Sequence, residues 1–125
     1  MNLVKEHINF ERGLDPKDAM QLGNFHERQI QKTLQDLAEE YVGTVSKIKT
    51  YKNGNIVGTL FINNFRFIMK YQAKENRDFD ENFEYRVSID KLNDASWGIA
   101  QANLHTPIEC KQQIEWWIFK YFKKK

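Results

Sequence analysis

The chain has 125 residues, of which 41% are hydrophobic and 29% charged, the size and balance of one globular domain with one core. Nineteen basic and seventeen acidic side chains leave a net charge of +2, too small to demand a polyanionic partner on its own. A membrane-spanning helix needs about eighteen consecutive apolar residues, whereas runs such as Trp116–Phe119 stop at four. Charge arrives at Lys5 before any secretory leader can form, which points to a cytoplasmic protein. The single cysteine, Cys110, excludes an internal disulfide framework and a multi-cysteine zinc site.

In chain order, Asp15-Pro16-Lys17-Asp18 joins a helix cap to a proline at the first helical position, and Gly23 offers a stop. This predicts a short helix over 16–22 inside an N-terminal preface, residues 1–23, ahead of a single α+β domain, residues 24–125. Asn24 and Glu27 have the spacing of a capping box that starts a second helix. Along it Ile30, Leu34, Leu37, Ala38 and Tyr41 share one apolar face, and Gly43 ends it. Alternation and β-branched residues then predict strands over 44–52 and 55–62, joined by Asn53-Gly54, and a third strand after Asn63-Asn64. In that strand Phe65, Phe67, Met69 and Tyr71 lie on one side, and Phe83, Tyr85, Val87 and Ile89 repeat the pattern in a fourth. Lys74–Asn82 is a polar linker. Residues 90–105 are the least legible, with Trp97–Ala100 either an edge strand or a packed loop. Thr106-Pro107-Ile108-Glu109 is a capping box that opens a terminal helix. The fold expected is α+β: an antiparallel meander of about four strands with N- and C-terminal helices packed on one face. Leu34, Leu37, Phe67, Val87, Ile114 and Trp117 are its expected core.

The segment Phe10-Glu11-Arg12-Gly13-Leu14-Asp15-Pro16-Lys17-Asp18-Ala19-Met20-Gln21-Leu22-Gly23 resembles a short segment near the ends of small tailed-bacteriophage proteins, in particular from phages of gut Bacteroidota. Gln21 stands where that pattern often has glycine. The resemblance covers fourteen residues and implies a phage-type origin, with roles such as virion component, assembly accessory or modifier of a host system. It implies no catalytic residue.

Several constellations in the chain bear on chemistry. Asp78-Phe79-Asp80-Glu81-Asn82 begins like a calcium loop, but Phe83 occupies the glycine position and Ile89 the position of the bidentate glutamate. A solvated acidic loop is the reading. His7, His26 and His105 lack zinc-ligand spacing. A nucleophilic pair of His105 and Cys110 competes with a core role for Cys110, which falls between Ile114 and Trp117 on the helical wheel. No glycine-rich phosphate loop is present. No catalytic residue, metal or cofactor is therefore expected, and the chain is not expected to be an enzyme.

Charge comes in blocks: five basic against eight acidic side chains over 1–43, seven against one over 44–77, two against seven over 78–110, and five against one over 111–125. The basic block, with Lys47, Lys49, Tyr51, Lys52, Arg66 and Lys70, has the mixture of cations and aromatic rings that suits single-stranded nucleic acid on a sheet face. On the terminal helix, with Ile108 as zero, Trp117, Cys110, Tyr121, Ile114 and Ile118 fall at roughly 180–280°, while Phe119 and Trp116 fall at about 20° and 80°. One aromatic pair lies beyond the core stripe. Trp116, Phe119 and Ile108 are therefore the candidate residues for a protein partner or a homo-oligomer. A non-enzymatic protein-binding accessory is the preferred function, with single-stranded nucleic-acid binding as the alternative.

Overall fold

The computed structural model describes residues 16–73, 83–92 and 99–122. It is an α+β fold with α1 (Pro16–Tyr41), β1 (Thr44–Val45), β2 (Lys49–Thr50), β3 (Ile56–Ile62), β4 (Phe65–Tyr71), β5 (Tyr85–Lys91), β6 (Ala100–Leu104) and α2 (Pro107–Phe122). The acidic segment Asp78–Asn82, the linker 74–82 and Trp97 lie outside the described residues, as do residues 10–15 of the phage-like segment.

The two helices expected at the N-terminus are one. α1 runs through Gly23 and Asn24 without a break, so the Asn24 capping box does not form a helix start. Glycine in a helix costs about 1 kcal/mol relative to alanine but keeps its backbone N–H, so helical flanks can carry the ladder through it. Ile30, Leu34, Leu37 and Ala38 form the buried side. The helix ends one residue earlier than Gly43: Val42 takes the left-handed conformation at φ 57°, and Gly43 N–H donates back to the Ala38 carbonyl at 2.8 Å. This six-to-one bond is the Schellman closure.

The sheet has six strands rather than about four, in the order β1-β3-β4-β5-β6 with β2 also on β3 and every pairing antiparallel. The strand expected over 44–52 is split into β1 and β2, and between them Ile48 turns into the core. β6 was legible only as an edge strand or loop because alanines favour strands weakly. Its Ala100, Ala102 and Leu104 pack against the core. The tight connections fall where expected, with Gly54 at φ 93° and Asn63 at φ 55°.

Both helices cover the same sheet face. His26 of α1 stacks on Tyr71, at 3.8 Å between ring centroids, and Gly43 lies under Phe61 and Ile62. α2 follows β6, whose Leu104 pairs with Tyr85, and ends with Phe122 against Phe65 at 4.6 Å. The helices therefore run parallel across the sheet, from its Tyr71–Tyr85 end to its Ile62–Phe65 end. Gly58 permits the close approach of α1: a Cβ there would lie 2.7 Å from Ile30 Cγ2 and from Ile48 Cδ1. All six expected core residues are buried, Trp117 being the most exposed of them at 5%. No helix among the described residues is long and apolar enough to cross a membrane.

Candidate functional site

α2 is positioned by the box read in the sequence. Glu109 N–H donates to Thr106 Oγ1 at 3.2 Å, while Glu109 Oε1 accepts from the N–H groups of His105 and Thr106 at 2.8 and 3.3 Å. These bonds satisfy backbone donors that a helix start leaves open and fix its rotation. Cys110, Ile114, Trp117 and Ile118 are thereby turned into the core. Trp116 and Phe119 then project outward, 53% and 57% exposed, with ring centroids 5.8 Å apart and planes 25° apart. Ile108 is 69% exposed on the same side, two turns earlier. The helix has filled its inner face with apolar groups and still presents an aromatic pair to solvent.

The second candidate surface is the sheet face that neither helix covers. Directly opposed residues of adjacent strands share a face, so the register fixes its layout. One row crosses the strands as Lys49, Val57, Lys70, Arg86 and Asn103; the next contains Thr59, Ile68, Ser88 and Gln101; a third contains Thr44, Phe61, Arg66 and Asp90. Lys47, Lys49, Tyr51 and Arg66 also line a shallow concavity of about 470 Å³, floored by Val57, Thr59, Phe61 and Ile68. Five of the six basic-block candidates thus share this face. Lys52 instead lies in the exposed turn after β2.

Arg66 differs from the lysines. Its Nε and Nη2 donate to the two carboxylate oxygens of Asp90 at 3.0 and 2.7 Å, so its charge is already matched. Arg86 was missed by the sequence reading because its block is acidic overall. Its alternation with Tyr85 and Val87 marks it as outward-facing, but its place beside Lys70 depends on the register of β4 and β5. Arg86 Nε donates to Asn103 Oδ1 at 2.7 Å.

Of the two roles read for Cys110, the structure shows the core one. Cys110 is fully buried, and burial, aided by the neighbouring Glu109 charge, pushes its thiol up to about 12, so the reactive thiolate is absent near neutrality. His105 is exposed, with its ring 4.8 Å from Phe83. His26 is buried, and its Nδ1 shares a 2.8 Å hydrogen bond with the Tyr85 hydroxyl. Among the described residues no group of three His, Cys, Asp or Glu side chains could hold a metal ion. Comparison with known protein families, curated proteins and solved structures finds no match.

Proposed function

We propose that this chain is a non-enzymatic accessory protein that works by binding another protein through the outer face of α2, with Trp116 and Phe119 at the centre and Ile108 at the edge. The observation that carries this reading is the stacked, half-exposed Trp116–Phe119 pair on a helix whose inner stripe already fills the core. Large aromatic side chains on a rigid base lose little freedom on binding and often dominate interface energy. The buried Cys110 thiol supports a role without nucleophilic catalysis. The likeness of residues 10–23 to phage segments supports a phage setting, as a virion or assembly component or a modifier of a host system, in the host cytoplasm or the virion.

The test compares the wild-type chain with a Trp116→Gln/Phe119→Gln variant in sedimentation over a concentration series and in affinity capture read by mass spectrometry. Wild type is expected to self-associate or to retain a defined partner, and the variant to lose that complex while remaining folded. An identical complex with both proteins would refute the reading.

A further inference from the structure

We infer that the open sheet face is a second, separate binding surface, and that its ligand is single-stranded nucleic acid held across β2, β3, β4 and β5. The argument begins with a pairing that folding alone disfavours. Lys70 and Arg86 are directly opposed on neighbouring antiparallel strands, on the uncovered face. Like charges in that position repel and destabilise a sheet. Lys49 extends the same row across Val57, and no acid stands in the row.

Among the described residues no ion pair engages Lys47, Lys49 or Lys70, whereas the Arg66 charge of the third row is matched by Asp90. Among the described residues the unmatched positive charge is therefore that of Lys49 and Lys70 in the first row and of Lys47 beside the concavity, and its complement is a chain of anions. The surface between the cations selects among polyanions. Tyr51 is 49% exposed at the edge of the concavity, and Phe61 and Ile68 form part of its floor. A nucleic-acid strand offers phosphates to the lysines and a flat base to the tyrosine ring at every step, whereas polyphosphate or an acidic peptide without aromatic residues has nothing to stack. Both helices lie on the opposite face, so this surface and the Trp116–Phe119 surface can be occupied independently.

The test is fluorescence anisotropy of a labelled oligothymidylate with the full chain over a salt series. Three phosphate contacts predict a slope of log affinity against log salt of about −2, at about −0.7 for each contact. Lys70→Gln should weaken binding several-fold and flatten the slope by about 0.7 while leaving the melting temperature the same or higher. Tyr51→Ala should weaken binding about tenfold without changing the slope, and Tyr51→Phe should restore it. The Trp116→Gln/Phe119→Gln variant should bind the oligonucleotide normally, so failure here is distinguishable from failure of the protein-contact reading. No binding at low salt, or binding that Lys70→Gln leaves unaltered, overturns the inference. So does equal affinity for polyphosphate or polyglutamate with Tyr51→Ala without effect, which would make the surface a general polyanion site.

Discussion

Val42 holds a β-branched side chain at φ 57°, a conformation that costs an ordinary L residue about 1–2 kcal/mol, and it is 88% exposed. Val42→Gly should therefore raise stability by about 0.5–1 kcal/mol, after allowing for the greater freedom glycine gives the unfolded chain. A denaturant midpoint unchanged or lowered would show that the valine is supported by contacts. At Trp117 the sign is reversed: Trp117→Ala opens a core cavity and should cost about 3–5 kcal/mol, read from the same midpoint. Cys110 and Tyr85 give the stability its alkaline limit. Burial, with Glu109 second, pushes the Cys110 thiol from 9.0 up to about 12; burial, then the charges at Glu84, Cys110 and Tyr71, holds the Tyr85 hydroxyl well above its ordinary 10.0. Above pH 9 the unfolded chain sheds a proton that the folded protein keeps, so stability should fall as pH rises, by up to about 1.4 kcal/mol per pH unit for each group. Urea titrations from pH 7 to 11 should show this decline. Cys110→Ala should remove the part that begins near pH 9, and a flat profile in the wild type would contradict the burial of both groups.

At the scale of elements, the cap of α2 is the clearest case of local chemistry fixing tertiary placement. Thr106→Ala should cost about 1 kcal/mol in the urea midpoint, because the Glu109 N–H loses its side-chain acceptor. That box was legible because its partners are three residues apart, and the inner face of α1 was legible because burial at helical period needs no knowledge of the rest of the fold. Gly23 misled because a weak local stop is overridden by a longer helix, and β6 was obscure because alanine packs well under α2 without advertising a strand. The two candidate surfaces divide in the same way. The outward direction of Trp116 and Phe119 follows from the angle between residues on one helix. Arg86 beside Lys70, and Asp90 neutralising Arg66, depend on a strand register spanning sixteen to twenty-four positions, which periodicity within a strand does not contain. Lys70→Glu tests that register: it replaces a repulsive cross-strand pair with an attractive one and should stabilise the sheet by about 0.2–1 kcal/mol. A loss of stability would show that the two side chains do not oppose each other.

On the scale of the whole molecule, one sheet face is covered by two parallel helices and the other is left open. A second helix layer would have placed Lys49 and Lys70 in a dry interior, where unpaired charge is costly. Their presence in one cross-strand row is consistent with a face that stays wet until a ligand covers it. The aromatic pair on α2 lies on the opposite side of the molecule, beyond the helix layer. The account stands on the division of α2 into an inner face that holds the fold and an outer face that makes contact. Its most direct measurement is thermal melting of the Trp116→Gln/Phe119→Gln variant beside wild type. Surface replacements usually shift stability by less than about 0.5 kcal/mol, so the account predicts a transition within a few degrees of wild type. A variant that has lost its cooperative transition would place both rings in the core and contradict it.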